Sequence, residues 1–228
     1  MEQDKIWDYY QTQAKEGFAS NVGRLDYVAK LVGEGDVVLT IGVGDLYLER
    51  SLINKGVVLK VLDPSETSIG GARTNLGMDA ADAKTGYSQN IPFADDMFDA
   101  VVMSEVLEHL DDKVLSETVL EVFRVLKKGG RFVGTVPYSE NLKNSEVICP
   151  NCECVFHKVG HVQSFDENRL SSVLSSRFSA KLVRVWVRFL PSWRILNLRG
   201  RIVALAKKVL ERFGVYSGKS NIIFEATK

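Results

Sequence analysis

Three places in this 228-residue chain hold residue types at spacings that could do chemistry. The first is Gly42-Val43-Gly44, directly after the apolar run Asp36–Ile41, with Asp63 twenty-one residues beyond Gly42 at the end of a second apolar run, Val57–Leu62. Glycine lets a ligand approach the backbone closely. A carboxylate after the next strand can accept hydrogen bonds from ribose hydroxyls. The second is Glu105-x-x-Glu108-His109. A Glu at i, a Glu at i+3 and a His at i+4 share one face if the segment is helical. Glu105 and His109 are then candidate catalytic groups, with His109 the obvious candidate proton acceptor. Packing of His109 against a neighbouring turn is the structural alternative. The third is the stretch from Cys149 to His161, which holds all three cysteines and two of the three histidines.

Elements that would position these groups follow from hydrophobic periodicity. Val22, Leu25, Val28, Ala29 and Val32 recur at helical spacing in the second of two short N-terminal helices. Short β-branched runs at 36–41, 57–62, 98–103 and 131–136 have the character of buried parallel strands. Helical patterns separate them, and two further strands, 181–187 and 221–226, close the chain. The 112–126 helix should start at a cap on Asp111 or Asp112 and end at Lys127-Lys128-Gly129-Gly130. Alternating strands and helices predict an α/β fold, a mostly parallel sheet with helices on both faces. One domain over 1–228 is the simplest plan, with insertions at about 138–162 and 188–220.

A ligand in such a sheet sits at the carboxyl ends of the strands. The glycine turn alone could serve a dinucleotide, a phosphate or nothing. The stretch Asn90-Ile-Pro-Phe-Ala-Asp-Asp-Met-Phe-Asp99, the strand after it, and Glu105-Val-Leu-Glu-His109 resemble the UbiE/UbiG-like class I methyltransferase family. Lys127-Lys-Gly-Gly-Arg-Phe-Val133 resembles that family's later turn and strand, and Gly42 and Gly44 its first motif. The resemblance implies a Rossmann-like doubly wound sheet of seven strands with a reversed last strand, in three layers α/β/α. It implies S-adenosylmethionine as cofactor. Thr40, Gly42 and Gly44 would then line the methionine half, Asp63 and Pro64 the ribose, and Ser88, Gln89 and Ile91 the adenine. Ser104 and Glu105 would face the sulfonium and the acceptor. In some members the Glu-x-x-Glu-His motif is associated with a divalent metal. Three positions depart from the pattern: Thr40 stands where the family usually has an acid, Leu46 where it usually has a third glycine, and Tyr87 where it often has an Asp. These departures keep a second reading open, a non-catalytic binding or scaffold protein on the same fold.

Cys149-x-x-Cys152, four further residues, His157, three more and His161 resemble a retroviral-type zinc knuckle. Zinc takes four N or S ligands in a tetrahedron, so Cys149, Cys152, His157 and His161 would form a closed structural site with Cys154 spare. The alternatives are a reduced surface loop and a histidine turned into the acceptor pocket as a base.

Net charge is zero, yet residues 1–180 carry 18 Lys/Arg against 27 Asp/Glu and residues 181–228 carry 11 against 2. In the basic part, Ile195, Leu198, Ile202, Leu205 and Val209 form one face of a helix, with Arg194, Arg201, Lys208 and Arg212 elsewhere around it. Such a helix can pack on the sheet or on a second subunit, or lie on an anionic membrane surface. The acceptor is expected to be a small molecule, a sugar or a lipid-linked compound. Nucleic acid is disfavoured by the acidic body and the lack of a reading motif. The acidic, aromatic start has no secretion signal and no run is long enough to span a bilayer, so a cytoplasmic location is expected, peripheral to the membrane if the helix binds lipid.

Overall fold

The computed structural model describes residues 5–6, 9–10, 22–178, 183–216 and 220–228. The first predicted N-terminal helix falls largely outside these residues. Among them, helix α1 (Val22–Lys30) leads into β1 (Val37–Ile41), α2 (Tyr47–Asn54), β2 (Val58–Asp63), α3 (Glu66–Leu76), β3 (Ala83–Thr85) and β4 (Phe98–Ser104). Then come α4 (Asp112–Val125), β5 (Leu126–Pro137), a hairpin of β6 (Glu146–Ile148) and β7 (Val155–His157), α5 (Glu167–Ser175), β8 (Val183–Arg188), α6 (Leu198–Glu211) and β9 (Asn221–Thr227).

Seven strands form one sheet in the order β3-β2-β1-β4-β5-β9-β8. Strands β1 to β5 are parallel, while β9 runs antiparallel to both β5 and β8. This is the seven-stranded, Rossmann-like doubly wound arrangement with a reversed last strand. Side chains alternate between the two faces as the pleat requires. Leu39 and Ile41 of β1, with Val101 and Met103 of β4, join Leu115, Val119 and Val122 of α4 and Leu170 and Leu174 of α5 in one core. Val38, Ala100 and Val102 turn the other way, onto Val28, Ala29 and Val32 and onto Leu48 and Leu52 of α2.

Three local readings change. Helix α4 starts as expected, with Asp111 accepting from the Val114 N–H at 2.9 Å, but ends at Val125. Lys127 to Gly130 already belong to β5, because Leu126 pairs with Phe98 across a bulge. Lys127 instead grips Asp99 at 2.9 Å, and Asp99 accepts from the Val37 N–H at 2.8 Å, which ties three strands together. The short β3 and the β6–β7 hairpin carry no apolar run long enough to signal a strand. Finally, Leu107–His109 is a single 3-10 turn and Glu105 lies outside it at φ 58°, so Glu105, Glu108 and His109 do not share a helical face.

Candidate functional site

A cavity of about 540 Å³ opens at the carboxyl ends of β1, β2 and β4. Its wall includes Thr40, Gly42, Gly44, Asp63, Pro64, Ser88, Gln89, Ser104, Glu105 and His109, all singled out in the sequence. The size suits one small-molecule ligand.

The turn after β1 shows why glycine stands at position 42. Its φ is +86°, and a Cβ there would lie 2.6 Å from Val106 Cγ2. Both the backbone conformation and the space therefore exclude a side chain. Asp63 is fully buried and braces this turn: its Oδ2 accepts from the Val43 N–H at 2.6 Å and its Oδ1 from the Ser65 N–H at 2.8 Å. Leu46, at the third-glycine position, adopts φ 66° in the left-handed region while its side chain packs with Val43, Val61 and Ile69. Leucine there costs on the order of 1–2 kcal/mol in backbone energy, offset by burial of its side chain.

Thr40 is buried in the wall, and a carboxyl is present beside it after all. Glu49 of α2 reaches the same wall and is 2% exposed. Burial pushes its pKa up to about 7. Sequence reading missed Glu49 because it sits inside an amphipathic helix, where a Glu reads as solvated. The only available signal was the missing acid at position 40.

Two adenine-side expectations change. Ile91 does not line the cavity. It is 2% exposed and packs in the core, with its N–H donated to Glu121 at 2.8 Å and its carbonyl bound by Arg124 at 2.8 Å. Arg124 also reaches Phe93 O and Asp95, so it fastens the whole 91–95 loop to α4. Ser88 borders the cavity, but its hydroxyl is spent on Thr118 at 2.8 Å. Leu110, Asp111 and Val114, at the start of α4, complete this part of the wall.

Glu105, next to Val106 beside the glycine turn, is held by four groups. Its N–H donates to the Thr135 carbonyl at 2.8 Å; its carboxylate accepts from Thr135 Oγ1 at 3.0 Å and from Asn221 Nδ2 at 3.1 Å, and pairs with Arg24 at 3.2 Å. Ser104 Oγ is engaged with Thr135 at 2.8 Å. Arg24 and Leu25 of α1 form part of the same wall.

The histidines gather beside this wall, without the cysteines. Among the described residues, two groups have ligand atoms mutually within 4.8 Å: Glu108, His109 and His161, and Glu140, His157 and His161. The expected zinc set of Cys149, Cys152, His157 and His161 is therefore not assembled. The hairpin explains the separation. Cys149 N–H donates to Cys154 O at 2.9 Å, so all three cysteines sit at its tip, with Cys152 and Cys154 exposed. His157 pairs with Glu146 at its base, about 10 Å along the strand from Cys154 at a rise of roughly 3.3 Å per residue.

The loop after the hairpin carries His161 back to the cavity. Val162 N–H donates to the Glu108 carbonyl at 2.9 Å and Ser139 N–H to the Phe165 carbonyl at 2.8 Å. His161 Nδ1 lies 2.5 Å from Glu140 Oε2, and His109 Nδ1 lies 3.2 Å from the Gly160 carbonyl. A carbonyl can only accept, so the Gly160 contact makes Nδ1 the donor of His109. Burial, with His161 adjacent, pushes His109 down to about 3. Such an imidazole is neutral and a poor proton acceptor. Glu108 is 1% exposed, neither carboxylate oxygen has a hydrogen-bond partner, and burial holds it well above the usual carboxylate range. A buried carboxyl without a hydrogen-bond partner, grouped with two imidazoles, has the donor types that suit a divalent cation.

Residues 39–134 match the methyltransferase domain family. An uncharacterized methyltransferase of Geobacillus is 30% identical over 130 residues, 57% of this chain and 60% of that protein. A ubiquinone/menaquinone biosynthesis C-methyltransferase of Desulfotalea psychrophila is 33% identical over 115 residues, 48% of this chain and 45% of that one. The chain thus spans 60% and 45% of the lengths of these two relatives, less than two thirds of either. Among solved structures, a Thermotoga maritima SAM-dependent methyltransferase superposes with TM-score 0.65 at 20% identity, covering 98% of this chain and 99% of the other. A Burkholderia thailandensis 1,6-didemethyltoxoflavin-N1-methyltransferase with bound S-adenosylhomocysteine reaches 0.65 at 13% identity, over 99% and 86%. A Haloferax volcanii methyltransferase in complex with its Trm112 activator reaches 0.65 at 19%, over 97% and 96%. Residues 39–134 of this chain therefore match the methyltransferase domain family, on a fold that nearly the whole chain shares with solved methyltransferases.

Proposed function

We propose that the chain is an S-adenosylmethionine-dependent methyltransferase acting on a small-molecule, sugar or lipid-linked acceptor. The observation that carries this reading is the cavity wall that joins the Gly42 turn, the buried Asp63 and the buried Glu49. Gly42 and Gly44 admit the methionine half to the backbone. Asp63, oriented by the Val43 and Ser65 N–H groups at the end of β2, accepts from the ribose hydroxyls. Glu49 supplies the negative end for the methionine ammonium that an acid at position 40 would otherwise supply. A neighbouring cation favours the ionised carboxylate, so cofactor binding and Glu49 deprotonation reinforce each other.

The sulfonium methyl is electrophilic as bound, so the protein's work is to hold the acceptor in line and exclude water. Orientation of this kind contributes on the order of 7–11 kcal/mol in favourable cases. Arg24, Glu105 and His161 face the acceptor side. His161 Nε2, with Nδ1 anchored on Glu140, can take a proton from an oxygen or nitrogen nucleophile as the methyl transfers. His109 is neutral and positions its neighbour instead.

The orphaned Glu108 favours a second reading of the same corner. Glu108, His109 and His161 would hold a divalent cation, which when bound would lower the pKa of an acceptor hydroxyl. The cation reading occupies His161 Nε2, so the two readings exclude each other: added EDTA abolishes turnover under the second and leaves it unchanged under the first.

Calorimetry with S-adenosylmethionine and with NAD tests the main reading. Micromolar binding of the former and none of the latter is expected. No binding of the former ends the methyltransferase reading. Binding without S-adenosylhomocysteine formation in an extract rich in acceptors leaves a non-catalytic binder on this fold.

A further inference from the structure

The expected amphipathic helix exists, and its apolar face is turned the wrong way for packing. In α6 only Ala204 is buried. Leu198 is 76% exposed, Ile202 59%, Leu205 56% and Val209 57%, and the stripe continues into Ile195 and Phe213 at the two ends. At about 100° per residue these six side chains fall within roughly a quarter-turn of one another, while Ala204 and Glu211 point to the opposite side. Glu211 accepts from the Phe189 N–H there, and this polar side faces the protein. The helix is capped in its own right, with Asn197 accepting from the Gly200 N–H at 2.9 Å.

The stripe is edged by cations. Arg201, Lys208 and Arg212 run along one edge and Arg199 lies on the other, all four exposed. Residues 188–216 hold seven Lys/Arg and a single acid, Glu211, which is turned inward. Between two copies of this chain, helix-on-helix contact through the stripe would bring the arginine edges together, and like charges oppose it. A protein groove would need an apolar floor with acid on both rims. A bilayer surface rich in anionic lipid offers both features at every point: an acyl layer for the stripe and headgroups for both edges.

We propose that α6 docks the protein on anionic membrane surfaces, with its axis in the plane of the headgroups. The insertion is rooted beside the cavity. The Gly23 N–H donates to Ser192 Oγ at 3.3 Å, a Cβ on Gly23 would lie 2.5 Å from the Pro191 carbonyl, and the next two residues, Arg24 and Leu25, are cavity wall. Docking therefore brings the acceptor side of the cavity toward the lipid surface. The corollary, that the acceptor is a lipid or lipid-linked molecule, rests on the methyltransferase reading; the docking itself does not.

Co-sedimentation of the full chain with vesicles of phosphatidylcholine alone, and of phosphatidylcholine with phosphatidylglycerol, tests the proposal. Recovery is expected with the anionic vesicles only, falling severalfold as salt is raised. The double variant Leu198→Ser/Leu205→Ser and the triple variant Arg201→Gln/Lys208→Gln/Arg212→Gln should each lose about tenfold or more in vesicle affinity. Both change exposed positions, so far-ultraviolet circular dichroism and S-adenosylmethionine calorimetry should match the parent. Equal recovery with and without phosphatidylglycerol overturns the proposal. So does a dimer by analytical ultracentrifugation that Leu198→Ser/Leu205→Ser dissolves, which assigns the stripe to a second copy. Vesicle binding by a protein that fails to bind S-adenosylmethionine keeps the docking surface and removes the methyltransferase reading.

Discussion

The two walls of the cavity are built on different terms. The wall proposed for the cofactor comes from the regular part of the fold: strand ends, the Gly42 turn, Asp63, and α2 with Glu49. Each group is placed by a parallel strand or a helix packed on the sheet. The wall proposed for the acceptor comes from excursions. His161 arrives on the loop after the β6–β7 hairpin, Arg24 from α1, and Glu105 sits at φ 58° where β4 ends, braced by Asn221 of the last strand. A sheet fixes the first wall through many shared strand contacts. The second depends on a few hydrogen bonds that cross between insertions. On the proposed reading, specificity would vary at the second wall while the first kept the cofactor in place.

This division predicts that substitutions on the two walls separate cofactor binding from turnover. The largest effect is expected at Asp63. Asp63→Ala removes the acceptor for the ribose and also leaves the Val43 and Ser65 N–H groups without a partner. Loss of two charge-assisted hydrogen bonds is worth on the order of 3 kcal/mol, about hundredfold or more in affinity, measured by calorimetry with S-adenosylmethionine. A lower melting temperature should accompany it. Retention of parent affinity would break the assignment of the first wall.

His161→Ala and Glu140→Gln should do the reverse. If His161 accepts the proton, its removal costs about 10²–10⁴-fold in turnover, and loss of its anchor costs less. Cofactor affinity should stay within about threefold of the parent, since neither group lies on the first wall. A parallel loss of cofactor binding in these variants would mean that the walls are one unit and the comparison fails.

Much of the first wall and little of the second was legible in the sequence, for physical reasons. Buried parallel strands write themselves as β-branched runs, so β1, β2, β4 and the core of β5 were plain, and so were Gly42 and Asp63 at their ends. The 90–99 motif was equally clear, yet its work in the fold is largely structural: Arg124 clamps the 91–95 loop and Asp99 ties β1, β4 and β5. That is why Ile91 belongs to the core rather than to the cofactor. The cysteine spacing suggested a knuckle because it counts residues along the chain. A hairpin converts that count into distance and leaves the histidines at the opposite end from the cysteines. His161 meets Glu108 and His109 through a contact fifty-two residues long, which no local pattern announces. Helix α6 was legible as an amphipathic helix, but not the direction in which its apolar face points.

Glu49 sharpens the comparison through pH. Its folded pKa is raised to about 7 by burial, above the ordinary carboxylate value it has in the unfolded chain. Between those values the folded state holds a proton that the unfolded state has lost, so stability falls as pH rises through that window. The decline should reach up to about 3 kcal/mol above pH 7. Glu49→Gln cannot ionise, so it should flatten this slope and melt higher than the parent at pH 8 while matching it near pH 5. It should also weaken S-adenosylmethionine binding by about tenfold, because the methionine ammonium loses its counter-charge. Bound cofactor should in turn reduce the alkaline decline in the parent.

The smallest effect is expected at Leu46, where the first wall departs from the glycine its turn would accept. Leu46→Gly relieves left-handed strain of about 1–2 kcal/mol but exposes the space its side chain fills among Val43, Val61 and Ile69. Burial of a leucine side chain is worth about 1.5–3 kcal/mol, so the two terms nearly cancel, with a slight net loss in melting temperature. Leu46→Asn tolerates the same φ with a smaller apolar loss than glycine only if its amide finds a partner, and it should fall below both. A Leu46→Gly protein more stable than the parent by more than about 1 kcal/mol would mean that strain outweighs packing at this turn. The leucine would then be retained for what it does to the cofactor wall, and cofactor affinity in the same variant should drop.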